Sequence, residues 1–201
     1  RGLIDSIVNR NHQKEQISRI IDLLNNNHKL IYESKKTNLT PFILSDLSID
    51  ERVKISSNKN RPKASVFLEN VFEHFFEIKG DRLLENSERI ITGLAQLGGQ
   101  TVMIVAQENT TKNKSSEGLT STDFRKCSRA IKLASRFDIP LITFIDTVGH
   151  NMSYKEEIQG IGISLGDTML SMAEFSSPSI SVLIGSGGTE TALSLDISDR
   201  R

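Results

Sequence analysis

Two short apolar runs, each followed at once by a glycine turn, constrain the fold of this chain more than any other feature. The first run, residues 141–146, leads to Gly149, and the second, residues 179–184, leads into the turn at 185–188. Apolar runs of this length bounded by turn residues are typical of buried strands. A helical pattern separates them, so the segment is predicted to form a β-α-β unit with parallel strands.

Both glycine turns follow the carboxyl ends of their predicted strands, where open α/β sheets bind ligands. Glycine lets backbone N–H groups approach a ligand with no side chain in the way, and such groups can stabilise an oxyanion. Two turns close together are therefore predicted to bind two anionic oxygens. For the turn at 185–188 taken alone, a tight strand-to-helix connection without a ligand is an equally good interpretation.

Periodicity and turn residues predict the other elements. A hairpin is expected from 90–97 and 101–106 around Gly98-Gly99, with its second strand central in the sheet. Segment 37–47 is interpreted as a linker, and the polar segment 107–121 as a loop. The predicted helices, including one built on a phenylalanine stripe, span about 14–35, 64–77, 123–137 and 154–175.

Composition excludes several classes of protein. The 201 residues suit one domain (61–201) with an N-terminal helical extension (1–60), and 25 basic residues balance 25 acidic ones. That balance gives no support to a nucleic-acid or anionic membrane surface. The single cysteine, Cys127, excludes an internal disulfide and is expected to be buried. No histidine spacing fits a metal site, and no apolar run could span a bilayer. The start lacks a hydrophobic signal core, which predicts a mature or a cytoplasmic protein.

Common nucleotide and nucleophile motifs are missing from the second turn. A dinucleotide fingerprint starting at Gly185 would need glycine where Glu190 stands, and neither a P-loop nor the G-x-S-x-G pattern is present. Asp146 ends its strand beside a turn and is either a catalytic carboxylate or a cap for the next turn, with the cap favoured. His150 is interpreted as an exposed loop histidine.

Several motifs, in order, resemble the α subunit of the bacterial-type acetyl-CoA carboxylase carboxyltransferase. The match runs over about residues 50–200, and its order and spacing make it specific. The segments that carry the resemblance are F-F-E-I-K-G-D-R at 75–82, I-T-G-L-A-Q-L-G-G-Q at 91–100, F-R-K at 124–126, I-T-F-I-D-T at 142–147 and I-G-S-G-G at 184–188.

The resemblance implies an α/β fold of the crotonase type (ClpP/crotonase superfamily), with stacked β-β-α units. It implies carboxyl transfer from carboxybiotin, on a separate biotin carboxyl carrier protein, to acetyl-CoA, giving malonyl-CoA for fatty acid synthesis. The site would form in a hetero-oligomer with a β-type subunit, with no metal in this chain and in the cytoplasm or, alternatively, a plastid. By resemblance, the backbone amides of Gly187 and Gly188 polarise the biotin carbonyl. Gly149, Gly185 and Ser186 bind the substrate or biotin, with Gly149 shaping the adjacent pocket.

The chain also departs from the family pattern. The family's I-D-T-P-G-A-Y-P-G becomes I-D-T-V-G-H-N-M-S at 145–153, and Glu190-Thr191 replace its second glycine pair. A carboxylate at 190 is expected to oppose an anionic ligand. These departures keep two alternatives open: a weak or inactive paralogue that serves in assembly or regulation, and another crotonase-type acyl-CoA enzyme.

Overall fold

The computed structural model describes residues 12–25, 47–58, 60–108 and 118–201. Most of the linker expected at 37–47 and most of the loop expected at 107–121 lie outside these residues. No helix in the described ranges is long and apolar enough to cross a membrane. The elements, in chain order, are α1 (Gln13–Asn25), α2 (Ile49–Ser56), α3 (Ala64–Val71), β1 (Glu73–Glu77), β2 (Ile90–Leu97), β3 (Gln100–Gln107), α4 (Ser121–Arg136), β4 (Leu141–Ile145), α5 (Tyr154–Ile158), α6 (Ile161–Ala173), β5 (Ser179–Leu183) and α7 (Glu190–Asp196).

One five-stranded mixed sheet carries the described fold, in the order β1-β2-β3-β4-β5. The first three strands pair antiparallel, and β3, β4 and β5 pair in parallel. The hairpin around Gly98-Gly99, the central position of β3 and the parallel β-α-β unit are therefore confirmed. Because β4 and β5 are parallel neighbours, the turns that follow them meet at one edge of the sheet.

Residues 102–106 of the central strand β3 are all apolar because both faces of the strand are covered. Met103 and Val105 pack into the core beneath α4, while Ile104 and Ala106 pack on the opposite face. On that opposite face Phe144 meets two aromatic rings, stacking on one at 5.8 Å and meeting the other edge-on at 6.1 Å. Those rings belong to Phe67 and Phe72.

The prediction of a single helix over 64–77 is wrong in its second half. The helix α3 ends at Val71, and residues 73–77 form β1, paired antiparallel with β2. Phe75 and Phe76 pack into opposite cores, which is the alternation of a strand. The stripe of phenylalanines fitted a helix in sequence, but pairing with the free edge of β2 decided the conformation.

The other predicted helices are present, but the residues at which they begin and end differ from the prediction. The helix expected at 154–175 is two helices, α5 and α6, separated at Gly160, which has φ of 74°. A left-handed residue of this kind ends a helix. The helix α4 begins two residues earlier than predicted, after the cap Thr120, whose partner in the capping box is Asp123.

Burial along α4 follows the predicted face with one exception, whereas Ile17 and Ile21 of α1 and Ile158 of α5 are at least half exposed. Phe124, Cys127, Ile131 and Ala134 of α4 are buried as expected, but Phe137 is 43% exposed. The first helix, α1, covers the N-terminal half of the expected 14–35, and the rest of that range lies outside the described residues.

Candidate functional site

The two glycine turns are brought into contact, as the sequence predicts. The backbone N–H of Thr147, in the first turn, donates to the carbonyl oxygen of Ser186 in the second at 2.8 Å. A methyl group at Gly149 would lie 3.7 Å from Cγ2 of Thr189. The φ of Gly149 is 115°, a backbone conformation that L-residues rarely adopt. The turns after β4 and β5 therefore form one surface at the edge of the sheet.

Two consecutive amides in the second turn have no acceptor within the described residues. They belong to Gly187 and Gly188, whose N–H groups make no hydrogen bond to protein atoms of that part of the chain. A methyl group at Gly188 would meet nothing within 4 Å, so the backbone is open there. Both glycines line a cavity of about 960 Å³, whose walls include Ile145, Leu183 and Leu193. Paired free donors beside an apolar cavity suit a carbonyl or carboxylate oxygen.

The other predicted site residues have structural contacts of their own. The N–H of Gly149 donates to Oγ1 of Thr147 at 3.1 Å, and the N–H of Ser186 donates to Oδ1 of Asp146 at 3.1 Å. A methyl group at Gly185 would lie 2.2 Å from that same carboxylate oxygen. These residues contact other parts of the two turns, whereas the N–H groups of residues 187–188 have no acceptor in the described part of the chain and both glycines line the cavity.

Asp146 does not cap the turn that directly follows it, which was the favoured interpretation. Its buried carboxylate forms an ion pair with Arg61 and bonds the turn after β5 instead. Its backbone N–H donates to Oε1 of Gln107, the last residue of β3, at 3.0 Å. Neither Arg61 nor Gln107 was predicted from the sequence to belong to the site. A polar residue that ends an otherwise apolar strand was the signal that could have found Gln107.

Glu190 and His150, two of the departures from the family pattern, contact each other. Nδ1 of His150 lies 2.5 Å from Oε1 of Glu190, which also accepts from Oγ1 of Thr191 at 3.2 Å. The hydrogen bond from His150 is the main cause that lowers the pKa of Glu190 below its usual range. The histidine side chain is 28% exposed, so the expectation of an exposed loop histidine is only partly correct. Glu190, whose carboxylate is expected to oppose an anionic ligand, therefore has a cationic partner whenever His150 is protonated.

Cys127 is buried in the core, as expected. Burial raises the pKa of its thiol far above the ordinary value, and the thiol stays protonated at neutral pH. It therefore packs as a small apolar side chain and takes no part in the site.

Comparisons with known proteins show which family the chain resembles. The family described as acetyl co-enzyme A carboxylase carboxyltransferase-like matches residues 4–201. An α subunit of acetyl-coenzyme A carboxylase carboxyl transferase from Gemmatimonas aurantiaca is 35% identical over 163 residues, which are 79% of this chain and 51% of the relative. A protein named for both its β and α subunits, from Clostridium tetani, is 32% identical over 210 residues, which are 99% of this chain and 36% of the relative. The chain thus spans about half of the length of the curated α subunit.

Solved structures support the predicted crotonase-type fold. The transcarboxylase 12S core aligns with a TM-score of 0.61 at 17% identity, covering 72% of this chain and 27% of that one. The β subunit of geranyl-CoA carboxylase from P. aeruginosa aligns with a TM-score of 0.59 at 13% identity, covering 69% and 25%. At such identities the likeness concerns the fold alone, and the crotonase-like prediction is confirmed.

Proposed function

The chain belongs to the acetyl-CoA carboxylase carboxyltransferase family, and we propose that it acts as the α-type half of a carboxyltransferase. The reaction moves a carboxyl group from carboxybiotin to acetyl-CoA and gives malonyl-CoA. The observation that carries this proposal is the pair of free amides at Gly187 and Gly188 beside an apolar cavity. Relatives that share most of this chain are named as α subunits of the same transferase.

The free donors and the open backbone at the turns fit the chemistry of the biotin group. Carboxybiotin supplies the carboxyl group when it is bound. The N–H groups of Gly187 and Gly188 would donate to its carbonyl oxygen, and the open backbone at Gly188 would let a flat ring approach closely. Gly149, Gly185 and Ser186 shape the adjacent pocket, and no side chain of this chain acts as a nucleophile.

The proposed reaction needs partners. A β-type subunit binds this chain in a hetero-oligomer and completes the acetyl-CoA side of the site, and a biotin carboxyl carrier protein delivers the cofactor. The names of two relatives, which join β and α subunits, support this arrangement. Bacterial relatives favour the cytoplasm as the compartment, with a plastid as the alternative.

Carboxyl transfer by this chain with its co-encoded β-type subunit tests the proposal. Biotin-dependent decarboxylation of malonyl-CoA is measured for the mixture and for the β-type subunit alone, and activity is expected only in the mixture. The substitution Gly188→Pro removes one of the two donors. It is expected to lower kcat about 100-fold, the usual cost of losing one oxyanion donor. Thermal unfolding of the same variant checks that the chain still folds.

An assembly or regulatory role is the second candidate, and the Glu190-Thr191 replacement favours it. A carboxylate two residues beyond the donors disfavours an anionic ligand unless His150 is charged. If the mixture forms a stable complex without turnover, this candidate gains support. Restoring both glycines with Glu190→Gly and Thr191→Gly is expected to raise transfer in an enzyme and to change nothing in a structural subunit.

A further inference from the structure

Side chains from two neighbouring strands anchor the Gly187-Gly188 segment on both sides. Before the glycines, the N–H of Ser186 donates to Oδ1 of Asp146 at 3.1 Å. After them, the carbonyl oxygen of Thr191 accepts from Nε2 of Gln107 at 3.3 Å. Since the two anchored residues bracket the glycines, the direction of the free N–H groups depends on both bonds.

Gln107 links these two anchors to each other. Its Oε1 accepts from the backbone N–H of Asp146 at 3.0 Å while its Nε2 donates to Thr191. A primary amide carries one acceptor oxygen and one donor nitrogen, so this orientation uses both ends of the side chain. Gln107 is 1% exposed, and water cannot replace a bond that is lost there.

Arg61, in the segment before α3, contacts Asp146, which is the anchor of Ser186. Its guanidinium pairs with the same Asp146 oxygen that accepts from Ser186. The pair packs directly beneath Gly185, where a methyl group would lie 2.2 Å from the carboxylate oxygen and 2.6 Å from Nη2 of Arg61. The absence of a side chain at 185 is therefore what lets the ion pair reach the backbone of the turn.

We propose that Gln107, Asp146 and Arg61 form a positioning network that sets the direction of the free amides at residues 187–188. Its effect on turnover rests on the function proposed above. None of the three lines the cavity beside the amides, so they act through the turn. A donor stabilises an oxyanion only at about 2.7–3.1 Å, and a displacement of about 1 Å costs roughly 100-fold in rate.

Substitutions of the network are compared with a matched buried control in the complex with the β-type subunit. Gln107→Met keeps the length of the side chain and removes both bonds, and Asp146→Asn keeps an acceptor but removes the charge. The control is Thr143→Val, because Oγ1 of the fully buried Thr143 donates to the carbonyl oxygen of Leu195 at the other end of α7. We expect kcat to fall about 10- to 100-fold in the network variants at nearly unchanged KM. The control should stay within about threefold of the original chain.

A second readout does not need turnover. In a complex whose α-type chain carries ¹⁵N-glycine, the amide resonances of residues 187–188 are expected to move or broaden in the Gln107→Met and Asp146→Asn variants and to stay in place in Thr143→Val. Should Gln107→Met fail to fold, the Asp146→Asn variant alone carries this readout.

Unchanged glycine resonances in folded network variants would overturn the proposal, as would kcat values equal to that of the control. A complex that is inactive before any substitution would count against the proposed function alone. In that case the resonances of residues 187–188 still decide whether the network positions the turn.

Discussion

Two charged pairs flank the same glycine turn, and they differ in burial. In the Arg61–Asp146 pair the side chains are 17% and 1% exposed, whereas in the His150–Glu190 pair they are 28% and 43% exposed. A buried charge that loses its partner is costly, while an exposed pair contributes little because water and salt replace it. The inner pair therefore determines the shape of the turn, and the outer pair sets the charge beside it.

The largest expected effect is the loss of the inner pair. Arg61→Met leaves the buried carboxylate of Asp146 without its cation, and we expect the free energy of unfolding to fall by about 3 kcal/mol. Urea denaturation measures the loss. The matched control is Lys132→Met, which breaks an exposed pair with Asp167 (2.7 Å) and is expected to cost less than about 1 kcal/mol. Equal losses in the two variants would contradict the comparison.

A smaller effect is expected from filling space beneath the turn. Gly185→Ala forces a methyl group against the Arg61–Asp146 pair, and we expect a loss of about 1–3 kcal/mol from overpacking. Gly188→Ala places the same methyl group in open space, and its effect on unfolding should stay within about 0.5 kcal/mol. If thermal denaturation shows the same loss for both variants, the close packing at 185 does not constrain the turn.

The outer pair is expected to contribute about 0.5 kcal/mol at low salt. A double-mutant cycle with His150→Gln and Glu190→Gln isolates this coupling energy from the effects of the single substitutions. The coupling should shrink in 1 M salt because the pair is partly exposed. A coupling energy above about 2 kcal/mol, or one that salt does not change, would mean that the outer pair behaves like a buried ion pair and would contradict the comparison.

The pH dependence of the outer pair follows from the lowered pKa of Glu190. Because the folded pKa lies below the ordinary 4.5, the stabilising contribution is fully present above pH 4.5 and is lost as the pH falls through the folded pKa. In His150→Gln the pKa of Glu190, followed by NMR titration of its side-chain carboxyl carbon, is expected to rise toward 4.5. An unchanged pKa would mean that His150 is not the main cause of the shift.

The sequence alone predicted the parts of the fold that local signals specify. The hairpin at Gly98-Gly99, the parallel pair β4 and β5, and the two adjacent glycine turns all follow from apolar runs and turn residues close together in the chain. The segment 64–77 failed because its phenylalanines satisfy two periods at once. The free edge of β2, a tertiary feature, turned residues 73–77 into a strand.

At the site, the sequence alone showed where backbone amides are not blocked by a side chain, because the positions of the glycines are known from the sequence. Only the tertiary structure decided which amides stay free and what holds them. Arg61, Gln107 and Asp146 are far apart in the chain and meet through the order of the strands. His150 and Glu190 looked like two separate departures from a pattern, and the contact of neighbouring turns made them one pair. Hydrogen bonds and ion pairs act over a few ångströms, so they depend on distances that a sequence does not state.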